Sequence, residues 1–477
     1  MLEPTKHDIP EPSASARDKA RRLLERRLGP SKVLTAAESC ERFARDESEA
    51  QGRVPDAVVL AEGPDDVLAT LAVASEAGVP VTPRAGGTGR TGGAVPVAGG
   101  IVLSCTGMSG IKEIDAKEGL AVVGPGVVLG DLHAAVETEG MFYPPDPNSL
   151  IGCCIGGNVA ENAGGPRAFK YGVTREYVLG MELFLIGGQR LRVGRRTKKG
   201  VTGYDLTALV VGSEGTLACI GDVTLKLVPK PPAVMTLLGL FESLSAASDA
   251  VTGIVATGVV PRCIELLDAA TLGAMRDAGN AIDARAGAML LMEVDGDERA
   301  CEAQAERISD ACLAVKALDL LVAQDAVQRE RLWAARREMS PAVRRLSKFK
   351  LSEDVVVPRM RLSELLSRVN RFCEANRVRT LSYGHAGDGN MHVNFLWDHA
   401  GEIPAVERAI ERLFRDVIEL GGTLSGEHGI GVLKAPYLAL EQSAELIALQ
   451  RELKRVFDPQ GLLNPGKIFP SPGHGAC

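Results

Sequence analysis

The run that most limits what this chain can fold into is PRAGGTGRTGGAVP, residues 83–96. Gly87, Gly89 and Gly92 satisfy the GxGxxG spacing that marks a dinucleotide site when it joins a strand to a helix. Here no helix can follow. Pro96, Gly99 and Gly100 interrupt the chain almost at once and lead into another apolar strand, GIVLS. A doubly wound nucleotide fold is therefore disfavoured, but a strand, glycine loop, strand unit can still cradle an anion. Five glycines between Gly86 and Gly93 permit positive φ and close backbone approach, so successive N–H groups can face a pyrophosphate without a helix dipole. A plain glycine-rich turn is the competing reading of this loop alone.

The text around the loop extends the pattern. SARDKARRLLERRL (15–28) predicts a charged surface helix with Leu23, Leu24 and Leu28 on its apolar side, closed by Gly29 and Pro30. VPDAVVLAE reads as a strand, Pro64 opens a helix that Gly78 stops, and VPVTPR is the next strand, which makes a βαβ beginning. Further on, PPDPNS (144–149), IGGNVAENAGG (155–165), KYGVTREYVLGMEL and LVVGSEGTLACIGDVTLKL read as ligand-binding loops laid over a sheet. After Pro229-Lys230-Pro231-Pro232, amphipathic helices alternate with strands such as AMLLMEVDG, the pattern of a separate α+β domain. Val406, Ile410, Leu413, Phe414 and Val417 are spaced as the core stripe of a helix over 405–420. The tail LKRVFDPQGLLNPGKIF stops a helix at Asp458-Pro459 and is expected to return to the first domain.

Chemistry concentrates in two glycine-flanked motifs, GHAGDGNMH (His385, His392) and SGEHGIG (Glu427, His428), in a chain with seven histidines. In a strand from Met391, His392 and Asn394 share one face, and Met391, Val393 and Phe395 share the other. His385 lies seven residues earlier, an odd interval, but Gly387, Asp388 and Gly389 can turn the chain and bring both rings to one face. Adjacent Glu427 and His428 diverge in an extended backbone, so one can ligate a metal while the other faces a substrate. Two imidazoles and a carboxylate leave coordination positions open, which suits catalytic zinc and also iron or manganese. The alternative is four polar residues satisfying turns and core hydrogen bonds.

A formal charge of −7 argues against a nucleic-acid binder, and 45% hydrophobic with 24% charged residues is ordinary for a soluble globular protein. The ten cysteines show no CxxC or ferredoxin spacing, which points to a reducing cytoplasm without a disulfide framework or iron–sulfur cluster. The N-terminus carries acidic and basic residues with no apolar core of signal-peptide type, and no uninterrupted apolar run approaches the length of a membrane span. Membrane association is expected only at the inner-membrane periphery, through a partner.

Taken in order, RAGGTGRTGGAVP, PPDPNS, IGGNVAENAGG, KYGVTREYVLG, GSEGTL, GHAGDGNMH, GEHGIG and LNPGK resemble the vanillyl-alcohol oxidase and p-cresol methylhydroxylase superfamily of FAD enzymes, from about residue 40 to 470. Within it the chain looks like the FAD-linked D-2-hydroxy acid dehydrogenases: the flavin subunit of glycolate oxidase, D-lactate dehydrogenase and D-2-hydroxyglutarate dehydrogenase. The resemblance implies an α+β, two-domain fold. An N-terminal helical segment (1–54) precedes a PCMH-type FAD-binding domain (55–232). A substrate or cap domain (233–435) follows, with an antiparallel sheet flanked by helices and the metal site. A C-terminal segment (436–477) packs back on the FAD domain. Arg84, Gly86, Gly87, Thr88, Gly89 and Gly92 would hold the FAD pyrophosphate region. Pro145, Asp146, Gly156, Gly157, Asn158 and Asn162 would line the cofactor, together with Gly164, Gly165, Gly215 and Ile220, and Asn464 would approach the isoalloxazine. Ala85 and the pair Arg90-Thr91 depart from the usual family text, and alanine tolerates positive φ poorly. His133 is the only histidine in the flavin loops and Cys153 and Cys154 the only nearby thiols, read as small packing residues, so FAD is expected to be non-covalent.

By the same resemblance, LWAARREMSPAVRRLSKFKLSEDVVVP supplies Arg336 for a substrate carboxylate, with Ser340 and Lys350 nearby, and Asn394 joins the catalytic set. His385, His392 and Glu427 would hold a divalent metal, and His428 would be the general base for oxidation of a small 2-hydroxy acid. Electrons would pass to an iron–sulfur or flavin partner subunit, an electron-transfer flavoprotein, a quinone or cytochrome, or oxygen. A non-redox flavin transferase, or a flavin subunit active only within a larger glycolate oxidase complex, is the alternative.

Overall fold

In a computed structural model, the structure describes residues 11–470, with the side chains of residues 335, 338, 340 and 341 left undescribed. The chain forms two compact units. One contains residues 11–163, Val173–Lys230 and residues 427–470; the other contains Gly164–Gly172 and Pro231–Gly426.

The first unit begins as its sequence dictates. Ser13 caps the helix Ala14–Leu28 through its side chain, and Leu24 on the apolar side is fully buried. Pro64 opens the helix Pro64–Ala77, and Gly78 closes it in the left-handed region at φ 67. The strands Ala57–Leu60 and Val81–Arg84 flank Ile101–Ser104, both parallel to it. Val58, Val59, Val81, Ile101 and Leu103 are completely enclosed. A second sheet of five strands carries Cys219–Lys226 at its centre, paired with Leu120–Val123 and Val178–Leu185.

The expected return of the tail is present. The Val81 N–H donates to the Leu462 carbonyl at 2.8 Å and the Asn464 N–H to the Val81 carbonyl at 2.7 Å, so Leu463 runs parallel beside Val81 at a sheet edge. IGGNVAENAGG, read above as loop, contains a short helix, Ile155–Glu161. Glycines at its start lower helix propensity, but buried Ile155 and Val159 on one side hold it and Asn162 ends it in the left-handed region.

The second unit is built on a seven-stranded sheet. Its centre is the run Ala288–Gly296, Cys263–Asp268, Arg379–His385 and Asn390–Trp397, each antiparallel to the next, with Phe349–Val356 on the outer side of Asn390–Trp397. The helix Ile403–Glu419 buries Val406, Ile410, Leu413, Phe414 and Val417, the stripe expected from spacing. Among the described residues no helix is long and apolar enough to cross a membrane.

Candidate functional site

The strand Arg379–His385 turns through Ala386–Gly389 into Asn390–Trp397. Gly389 adopts φ 83, and a Cβ there would strike the Val357 carbonyl, so glycine is required. The register sets His385 opposite Asn390 and Tyr383 opposite His392. Paired residues share a face, which places His385, His392 and Asn394 on one side while Met391, Val393 and Phe395 enter the core on the other. The imidazoles of His385 and His392 stand edge to face, centroids 5.3 Å apart, both almost wholly buried. The odd sequence interval is thus resolved by the hairpin.

Two carboxylates that sequence reading missed lie behind these rings. Glu265, opposite His385 in the register, bonds His385 Nδ1 with Oε1 and receives Arg336 through Oε2, from Nε at 2.7 Å and Nη2 at 2.6 Å. Burial alone would raise the Glu265 pKa; the charges of His385 and Arg336 reverse this and pull it to about 2. Asp354, opposite His392, accepts the Asn390 amide at 2.6 Å through Oδ1 and the Gly426 N–H at 2.8 Å through Oδ2. Part of the signal was available: both are acids inside strands rich in apolar residues, CIELLD and LSEDVVV, and buried acids are retained only when paired.

Of the remaining expected residues in this unit, Arg336 also lies over the Tyr383 ring at 5.0 Å, and the Lys350 ammonium reaches the Tyr383 hydroxyl at 3.5 Å. Asn394 donates its amide to the His392 and Leu381 carbonyls, while its buried Oδ1 has no hydrogen bond. The Ser340 side chain lies outside the described residues. Gly164 and Gly165 fall in this unit, in the segment Gly164–Gly172.

Glu427 and His428 belong to the other unit, one residue past the boundary at Gly426, whereas the sequence reading had both motifs in one domain. The reason is local anchoring. The Thr91 hydroxyl donates to the His428 carbonyl at 2.9 Å, and the Glu214 carboxylate accepts the N–H groups of Ile430 and Gly431, each at 2.7 Å.

The glycine loop forms a tight cradle in that same unit. Gly87 and Gly92 have φ 69 and 88, and Ala85 is not among the positive-φ residues, so the departure at that position carries no strain. An added Cβ at Gly86 would collide with the Gly152 carbonyl, and one at Gly156 would stand 2.7 Å from the Pro125 side chain. Gly157 faces Ala85 at an ordinary 3.9 Å, Thr88 packs on Gly152, and Gly89 lies beside Asp46. Asn158 is buried, and Pro145 offers its carbonyl to His133 at 3.0 Å with Asp146 following, half-buried. Two expected cofactor residues do structural work: Arg84 donates to the Arg45 carbonyl at 2.7 Å, and Asn162 accepts the Arg175 N–H at 2.8 Å. Asn464 donates to the carbonyls of Gly93 (2.9 Å) and Glu214 (2.7 Å), close to Gly215, with Ile220 buried on its own strand. The Asn464 Oδ1 is buried without a hydrogen bond. Close backbone packing at the glycines and an orphaned amide oxygen are compatible with a hydrogen-bonding cofactor.

Comparison with known proteins agrees. Residues 55–194 match the FAD binding domain model and residues 230–468 the model for FAD linked oxidases, C-terminal domain. The chain is 42% identical to glycolate oxidase subunit GlcD of Bacillus subtilis (strain 168), over 87% of this chain and 89% of that one. It is 35% identical to D-lactate dehydrogenase of Anaerostipes hadrus, over 92% and 95%. Substrate-bound p-cresol methylhydroxylase superposes with a TM-score of 0.80 over 96% of this chain and 97% of that one at 16% identity, a likeness of fold. The chain is therefore a member of the FAD-linked oxidase family, an oxidoreductase built on the p-cresol methylhydroxylase fold.

Proposed function

We propose that this protein oxidises a small D-2-hydroxy acid, such as glycolate or D-lactate, to the 2-oxo acid. The names of the two relatives support the substrate class. The observation that carries the reading is the histidine hairpin, with Arg336 and Lys350 meeting over Tyr383 on the same sheet face.

The donor set fits a divalent metal. Two imidazoles from one hairpin stand edge to face, and His385 gives Nδ1 to a buried carboxylate, the usual outer partner of a metal-bound histidine. His385 and His392 are assigned as ligands with Glu427 from the GEHGIG motif, for zinc, manganese or iron. When bound, the ion supplies a Lewis acid for the substrate hydroxyl and FAD supplies the hydride acceptor. The chain supplies the rest. Arg336 and Lys350 bind the substrate carboxylate, Asn394 Oδ1 orients the polar group beside it, and a ring nitrogen of His428 takes the hydroxyl proton, a task suited to an imidazole near neutrality. FAD is held without a covalent bond: burial raises the thiol pKa of Cys153, and that of Cys154 to about 11, while His133 is engaged by Pro145. The electrons would leave bound FAD for an external acceptor; a partner subunit, iron–sulfur or flavin, is the first candidate, because relatives are named as subunits of glycolate oxidase.

The test is anaerobic flavin absorbance against D- and L-2-hydroxy acids, with and without chelator. Bleaching by one D-acid, abolished by chelator and restored by zinc or manganese, is expected. Unchanged flavin across the panel would replace this reading with the non-redox transferase or with a flavin subunit active only within a larger complex.

A further inference from the structure

We infer that Glu265 is the positioning residue that ties the metal-ligating imidazole of His385 to the substrate-binding guanidinium of Arg336, so that one buried carboxylate sets the geometry of both. The inference rests on the roles proposed above for His385 and Arg336.

Glu265 sits at the middle of Cys263–Asp268, a strand otherwise apolar apart from its last residue, and is fully enclosed. The sheet register fixes where it points. Glu265 lies opposite His385, so its side chain and the imidazole emerge on the same face from neighbouring strands. Arg336 arrives from elsewhere in the sequence, on the helix Ala326–Arg344, and its Nε and Nη2 both close on Glu265 Oε2. The two carboxylate oxygens are thereby divided: Oε1 serves His385 and Oε2 serves Arg336.

A buried ion pair is weak evidence for stability, because a well-packed apolar replacement is often at least as stable. Leu267 on the same face of its own strand and Leu291 directly opposite are apolar. What an apolar residue could not do is set orientation. With Nδ1 directed at Glu265, the imidazole presents Nε2 as its ligating nitrogen and cannot rotate about its Cβ–Cγ bond without losing the carboxylate. Arg336 has five N–H donors in a rigid fork. Nε donates to Glu265 Oε2 and Nη2 stands at ion-pair distance from the same oxygen, so that side of the guanidinium is fixed by Glu265 and the Nη1 N–H groups are the ones assigned to a substrate carboxylate. A displacement of Glu265 therefore moves the metal ligand and the anion clamp together, and metal binding and carboxylate binding are coupled through it.

The experiment compares wild type, Glu265→Gln and the double variant Glu265→Gln/Arg336→Met, each purified with FAD and stripped of metal. The double variant removes both charges together, so it guards against misfolding from a stranded guanidinium. Zinc and manganese affinities are measured by competition with a chelator, without substrate. Propionate, a carboxylate with no 2-hydroxyl to chelate a metal, is titrated by its perturbation of the oxidised flavin spectrum with and without metal. Both variants are expected to bind metal about 10- to 100-fold more weakly than wild type at unchanged FAD content. Metal should tighten propionate binding in wild type and leave it unchanged in Glu265→Gln. A folded variant that holds metal as tightly as wild type would overturn the role of Glu265 and leave the metal reading standing. A wild-type protein that takes up neither metal would overturn the metal reading itself, and the Glu265 inference with it.

Discussion

Glu214 holds Gly431 by its backbone: Oε2 accepts the Gly431 N–H at 2.7 Å while Oε1 takes the adjacent Ile430 N–H. The GEHGIG loop has no regular secondary structure of its own to fix it, so this carboxylate does what a ladder of hydrogen bonds would do in a strand. Removing it with Glu214→Ala should cost about 1.5–3 kcal/mol, the scale of hydrogen bonds to a charged group. Thermal unfolding of the FAD-loaded protein would read the loss, and kcat should fall with it because His428 lies three residues from Gly431. An unchanged melting temperature would show that the loop is held by other contacts.

Space at Gly86 is closed by the Gly152 carbonyl. Gly86→Ala should therefore push the glycine loop off its path and strip the protein of FAD, measured as the flavin-to-protein absorbance ratio after gel filtration. Gly110→Ala is the control, since nothing lies within 4 Å of a Cβ there. Full FAD retention by Gly86→Ala would refute the cradle.

Glu161 is half-buried with its Oε2 enclosed, and its pKa is pushed well above the ordinary value by desolvation first and by the charges of Glu214 and Asp46 second. A carboxyl raised in the folded state binds its proton there while the unfolded chain has lost it. Stability from this group is full below the unfolded value and disappears as pH rises through the folded one. Glu161→Gln keeps the shape without the titration. The melting temperature of the variant should thus gain on wild type as pH is raised from 4 towards the raised value, by a few degrees on the scale of a 1 kcal/mol change. A difference that is flat with pH would mean that Glu161 is ionised throughout.

His428→Ala should lower kcat roughly 100- to 10,000-fold, the usual worth of a general base, with FAD content and metal affinity unchanged. Loss of metal together with activity would make His428 a ligand and would exchange its role with that of Glu427.

The sequence made legible whatever repeats or punctuates. Pro64 and Gly78 framed a helix, the spacing of Val406, Ile410, Leu413 and Phe414 announced another, and the alternation after Met391 named the buried face of its strand. The hairpin that joins His385 to His392 was readable because Gly387, Asp388 and Gly389 can turn the chain. Glu265 and Asp354 were not read because their meaning lies in cross-strand register, which pairs residues 120 and 38 positions away in the chain. No local pattern encodes that partner. Arg84 and Asn162 were read for the cofactor alone, and their bonds to Arg45 and Arg175 depend on folding that brings distant backbone to them. The helix within IGGNVAENAGG was hidden because its stability comes from tertiary burial and runs against its glycine content.

The pairing of Val81 with Leu463 has a consequence for synthesis. A ribosome makes Val81 early and Leu463 nearly 400 residues later, and between them it completes every strand of the seven-stranded sheet. Domains fold as units while the chain emerges. The histidine hairpin can therefore mature on the nascent chain, whereas the sheet edge at Val81 stays open until Leu462 and Asn464 arrive. The edge at Val81 is therefore among the last pairings to form, and a chain released short of Asn464 would carry a finished seven-stranded sheet and an open edge in the other unit.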